Sequence, residues 1–98
     1  MTKPAQYKFI ALHKKYKKSL ERYRAANAAV EQAHKEYYAV HQRIMPDTAQ
    51  CKEMRRLFRL KDKQWEESLR SMFDIPEHIW RSARDDAHLV EILEAMAA

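Results

Sequence analysis

The sequence predicts an all-α fold, a three-helix antiparallel bundle or hairpin in which one long, coiled-coil-like N-terminal helix dominates. Three observations predict it. The chain contains no glycine, so tight turns and phosphate-cradling loops that need positive φ or close backbone approach are disfavoured together. It is rich in Ala, Glu, Lys, Arg and Gln, whose side chains lose little rotamer freedom on a helical backbone. Its two prolines beyond the N-terminus each sit beside capping residues, as Met45-Pro46-Asp47-Thr48 and Phe73-Asp74-Ile75-Pro76-Glu77, which reads as helix ends followed by new starts.

The first helix is expected over about 3–45, with Thr2 ahead of Pro4 marking its start. Phe9, Tyr16, Tyr23, Val30, Tyr37 and Ile44 repeat at one seam position of a heptad, and Leu12, Ser19, Ala26, Ala33 and Val40 at the other. A seam that persists over this length points to a helical neighbour. Alanines opposite tyrosines suggest close approach, with each ring covered and its hydroxyl at the wet rim.

The second helix is expected over about 48–73, with Cys51, Met54, Leu57, Phe58, Trp65, Leu69 and Met72 along one face. The third is expected over about 76–97, with Ile79, Trp80, Ala83, Ala87, Val90 and Leu93 along its own. Asp47 with Gln50, and Asp74 with Glu77, have the spacing of capping boxes. Short breaks at Pro46 and Pro76 imply antiparallel neighbours within a single domain, residues 1–98.

Length then creates an imbalance. Pairing outward from a turn at 45–48 puts Arg24 near Ser68 and Lys17 near Ile75, so the segment before about residue 16 overhangs its partners at 1.5 Å per residue. Phe9, Leu12 and Tyr16 would then lack a core, and exposed apolar patches mark interaction sites. Phe9, Leu12, Tyr16 and Tyr23 are accordingly the expected contacts for a protein partner or a second copy of the chain.

Charge is spread unevenly along the chain. Residues 1–24 hold eight Lys/Arg against one Glu, whereas residues 74–98 hold two against six acids. Lys8, Lys14, Lys15, Lys17, Lys18, Arg22 and Arg24 crowd the first half of the long helix, and Lys52, Arg56, Arg59 and Lys63 form a stripe on the second. Such patches attract phosphate backbones or acidic protein surfaces, and equally serve as a solvated helix face. Contacts to nucleic acid through them would depend on counterion release and read little sequence.

The segment Trp65 to Ala83 has apolar spacing that resembles a helix-turn-helix. Asp74 stands where that turn often carries glycine, and residues 76–98 hold five acids against two arginines, a balance that repels a phosphate backbone. An amphipathic membrane-surface role for Phe9, Ile10, Leu12 and Tyr16 ranks below a helical partner, because the seam continues to Ile44.

Glu31-x-x-His34 and Asp85-x-x-His88 have the one-turn spacing used by carboxylate-bridged metal sites in bundles. Such a site needs further inward carboxylates, and His34 lies at the seam's edge, so surface histidines with no metal are expected. His13, His41 and His78 lack a catalytic partner at useful spacing, and no triad is readable from Ser19, Ser68, Ser71 or Ser82. Cys51 reads as core filler, although a place in a helix's first turn favours a lowered pKa.

A single cysteine forms no internal disulfide, and no leader-like segment opens the sequence, so a cytoplasmic setting is expected. Leu, Ile, Val and Phe total only 18 of 98 residues, which predicts a thin core. The reading that follows is a non-enzymatic helical adaptor or modulator. It binds a protein, self-associates through its long helix and regulates a nucleic-acid-handling machine, with no cofactor and no small-molecule substrate. The alternative is a basic accessory protein that contacts nucleic-acid phosphates.

Overall fold

The computed structural model describes residues 3–97. They form α1 (Lys3–His41), α2 (Ala49–Met72), the short α3 (Glu77–Arg81) and α4 (Asp86–Ala97), with no strand among the described residues. The fold is all-α, dominated by the α1–α2 hairpin. Straight through residues 24–30, α1 runs the full length of the molecule: 39 residues rising about 1.5 Å each match the long dimension of the 58 × 20 × 19 Å envelope.

The first helix stops at His41, earlier than expected, because Gln42 turns left-handed at φ 56 and its N–H donates to the Tyr38 carbonyl at 2.8 Å. Without glycine, this reversal falls on a residue that pays a steric penalty of about 1 kcal/mol for it. Thr48, and not Asp47, caps α2: its hydroxyl accepts from the Cys51 N–H at 3.2 Å. Asp47 instead takes both arms of Arg55, at 2.9 and 2.8 Å, tying the loop to the second turn of α2. At the other break Pro76 occupies the cap position of α3 with no side-chain hydrogen bond, so the expected box from Asp74 to Glu77 does not form.

The loop 42–48 changes the register of the hairpin. Tyr23 faces Phe58, with ring centroids 5.4 Å apart, and His34 reaches Cys51. Relative to pairing from a tight turn, α2 has slid about ten residues, roughly 15 Å, toward the N-terminus of α1. Arg24 therefore does not meet Ser68, nor Lys17 Ile75. The seam closes as far as Tyr37 and then ends, leaving Val40 and Ile44 exposed.

The expected third helix is broken at 82–85 into α3 and α4. Asp85 starts α4 by accepting from the His88 N–H at 2.8 Å, and His88 Nδ1 accepts from the Arg84 N–H at 3.0 Å. The bend turns α4 along the N-terminal turns of α1. Gln6 Nε2 donates to the Leu93 carbonyl at 3.4 Å, and Lys14 pairs with Glu94 at 3.4 Å.

The main core sits at this end. Phe9, Ile10, Ile75, Ile79, Leu89, Val90 and Leu93 form one buried cluster, with Met72, Trp80, Ala83 and Ile92 against it. The expected N-terminal overhang is thus absent: α4 covers Phe9, which is 1% exposed. The surplus length of α1 lies at its other end, beyond the start of α2. Along the hairpin seam, by contrast, Ser19, Gln64, Ser68 and Ser71 are buried beside Val30, Cys51 and Leu57. Gln64 Oε1 accepts no hydrogen bond among the described residues. No helix among the described residues is long and apolar enough to cross a membrane.

Candidate functional site

Of the four expected partner contacts, Phe9 belongs to the fold's own core, and Leu12 and Tyr16 are half-buried at the junction of α1 with its neighbours. Tyr23, also half-buried, stands on the α1–α2 hairpin away from α4. Its ring tilts against Phe58, and the Lys61 ammonium lies over both, 5.1 and 4.2 Å from the centroids. A cation over two rings at a half-covered site contributes about 0.5–1 kcal/mol or somewhat more.

Heptad spacing explains where this surface lies. Gln6 and His13 face α4, and the same line continues through Leu20, Asn27 and His34, where no third helix follows. On α2, apolar residues at 51, 54, 57, 58, 65, 69 and 72 span more of the circumference than one neighbour covers. The excess emerges on this side: Phe58 is 44% and Trp65 42% exposed. Above them Tyr38, 55% exposed, stands on the part of α1 that outruns α2. Tyr23, Phe58, Trp65 and Tyr38 thus give the upper hairpin one aromatic, unroofed face. The sequence reading placed Phe58 and Trp65 in a core stripe and did not single out Lys61; the width of that stripe was the available signal.

The basic residues divide between two sides. Lys17 and Arg24 flank an open groove of about 430 Å³ above the start of α4, which Asp85 and Asp86 also line. Lys15, Lys18 and Arg22 recur on one line of α1, all exposed, and Lys52, Arg56, Arg59 and Lys63 recur on α2. The two lines border the same side. The Glu53 carboxyl is held below its usual range first by hydrogen bonds from Arg56, with a further contribution from the Arg22 charge on the other helix. Lys15, Lys18, Arg22, Arg59 and Lys63 have no carboxylate oxygen within 4.0 Å among the described residues. Lys8 stands lower, beside a cavity of about 340 Å³ that Leu12, Glu67, Arg70, Ser71 and Asp74 also line.

Neither carboxylate and histidine pair builds a metal centre. Glu31 accepts from Asn27 at 3.2 Å, whereas His34 turns to Cys51, its Nε2 3.8 Å from the sulfur. Asp85 and His88 are a helix cap. No group of three potential metal ligands comes together among the described residues. Cys51 is buried, and hydrogen bonds from Thr48 and then His34 push its thiol pKa down. The Thr48 hydroxyl lies 3.3 Å from the sulfur.

His13 is buried between Phe9 and Tyr16, stacked on Phe9 at 5.9 Å. Burial pushes its pKa below 6.5, Asp86 and Asp85 oppose that, and Lys17 adds to it. The unfolded chain therefore binds a proton before the folded one does. Stability should be full above about pH 6.5, fall as pH drops from there through the folded pKa, and level off below it. Urea midpoints at pH 7.5 and 5.5, compared with those of His13→Gln, check this: the wild type should lose more on acidification than the variant.

No known protein family matches this chain, and neither does any curated protein or solved structure.

Proposed function

We propose that this protein is a non-enzymatic helical adaptor that binds a macromolecular protein partner through the unroofed upper face of its α1–α2 hairpin. One observation carries the reading. Past the start of α4 the hairpin leaves Phe58, Trp65 and Tyr38 exposed beside Tyr23, and no other helix among the described residues covers them. Rings at an open face offer large contact area at small entropic cost, which is why aromatic residues anchor interfaces. The docking region is thus moved from the opening turns of α1, where Phe9 and Leu12 were expected to serve, to the middle and far end of the same helix.

A second reading rests on the opposite side. Lys15, Lys18, Arg22, Arg59 and Lys63 present unpaired charge along one face, a spacing suited to phosphates contacted without base reading. In combination, the two faces suit a regulator of a nucleic-acid-handling machine. One experiment separates the readings: co-purification with the tagged full chain from its host, with and without nuclease, at low and high salt. A protein that survives nuclease and salt and is lost from Tyr38→Glu supports the adaptor. Nucleic acid that is recovered and released steeply by salt supports the second reading, and recovery of the same material by Tyr38→Glu counts against the first.

A further inference from the structure

We infer that the occupant of the unroofed hairpin face is a second copy of this chain, packed antiparallel across a two-fold axis near Val30 and Glu31, so that two hairpins close into a four-helix bundle. The inference rests on the adaptor reading of that face and names its occupant.

Three observations carry it. The first is length. The open stretch runs from Leu20, beside the start of α4, to His41 at the tip of α1. A two-fold axis at its middle lets each copy's overhanging tip lie along the other's groove and stop where the other's α4 begins. The groove and the segment available to fill it are the same stretch, so closure leaves no remainder and no open-ended chain of contacts.

The second is what such pairing brings together. Tyr38 of one copy lands on the Tyr23 and Phe58 rings of the other, and His34 comes beside Asn27 and Glu31. The most exposed aromatic ring of the upper hairpin, at 55%, meets the aromatic pair that its own chain leaves half open. A copy packed parallel would set tip beside tip and α4 against α4, so that the two α4 helices hold the upper faces apart.

The third is area. A face about 32 Å long at 1.5 Å per residue, about 20 Å wide as far as the start of α2 and one helix wide beyond it, covers about 500 Å² per copy. The total, about 1,000 Å², meets the threshold for a biological interface. Left-handed bundles of this kind pack at small crossing angles, which the heptad spacing on α1 already sets.

Sedimentation equilibrium of the full chain, from low micromolar to near-millimolar concentration, tests the assignment. A dimer is expected, and Tyr38→Glu and Phe58→Glu should each raise the dissociation constant at least tenfold. Tyr38 stands beyond α2, so Tyr38→Glu should keep its helical circular dichroism and, at concentrations where both proteins are monomeric, its melting temperature, even if Phe58→Glu does not. Phe73→Glu, at a position more exposed still (65%) but at the opposite end, should dimerise as the wild type does. Spin labels at His41→Cys in a Cys51→Ala background should lie about 30–40 Å apart, where parallel pairing gives under roughly 20 Å.

A strict monomer overturns the inference, as does a dimer indifferent to Tyr38→Glu, one lost in Phe73→Glu, or short label distances. A monomer that nevertheless loses a co-purifying foreign protein in Tyr38→Glu also overturns it, while leaving the face as a docking site for that protein.

Discussion

Phe9→Ala is expected to destabilise the protein by about 3–5 kcal/mol, the range for deleting a fully buried aromatic ring. At roughly 4–8 °C per kcal/mol for a domain of this size, the melting temperature should fall by tens of degrees. The ring is 1% exposed, sits among Ile75, Ile79, Leu89 and Leu93, and stacks on His13. Relaxation cannot close the cavity cheaply, because its walls come from α1, the turn between α2 and α3, α3 and α4 and are held by separate backbone segments. Ile44→Ala is the matched contrast. At 90% exposure its deletion should change stability by less than about 0.5 kcal/mol. Urea unfolding of the two variants decides which end of α1 is free. An opening segment without a core requires the reverse ranking, with Phe9→Ala silent.

The helical class was legible because it depends on composition and period, which act locally. The absence of glycine, the seam from Phe9 to Tyr37 and the stop near Pro46 all survive in the fold. Position along the seam was not legible, and the overhang was misplaced for that reason. Heptad seams are periodic, so sliding α2 by two or three turns re-pairs similar residues and costs the pattern little. What sets the register is a left-handed Gln42, a cap on Thr48 and an Asp47 to Arg55 pair. Nothing in the residue type of Gln42 announces positive φ, which glycine or asparagine would have done.

The break at 82–85 was hidden for a related reason. Ser82, Ala83 and Arg84 are compatible with a continuing helix, and the signal that did exist, Asp85 three residues before His88, fits metal ligation and N-capping equally well. The structure resolves it as a cap. That single bend carries α4 onto Phe9 and Ile10, and so decides that the opening turns are core and the tip is surface. The basic residues were easier to place. Lysines and arginines at helical spacing stay solvated in almost any packing, and the named ones are all exposed.

Leu93→Asp should go further than Phe9→Ala and abolish the cooperative unfolding transition at 25 °C. Leu93 is 0% exposed, and its carbonyl already accepts from Gln6. A carboxylate there either stays charged in an apolar cluster or binds a proton to avoid it, and each course costs several kcal/mol in addition to the lost packing. A domain of about this size is stable by only about 5–15 kcal/mol.

The loss should not remain local, because of where the apolar residues are. Five of the seven members of the main cluster come from residues 75–93, whereas the buried residues of the hairpin seam include Ser19, Gln64, Ser68 and Ser71 as well as the apolar Val30, Cys51 and Leu57. Buried polar groups contribute little net stability even when paired, as the Ser71 hydroxyl is to the Ser68 carbonyl, and Gln64 Oε1 has no partner among the described residues, so α1 and α2 should depend on α4 for an adequate core. Amide exchange should therefore accelerate along the whole of α1, including residues 26–37 far from the substitution. Acceleration confined to residues 3–13, with the hairpin protected as in the wild type, would mean that the two helices hold together by themselves and that α4 is an accessory to them.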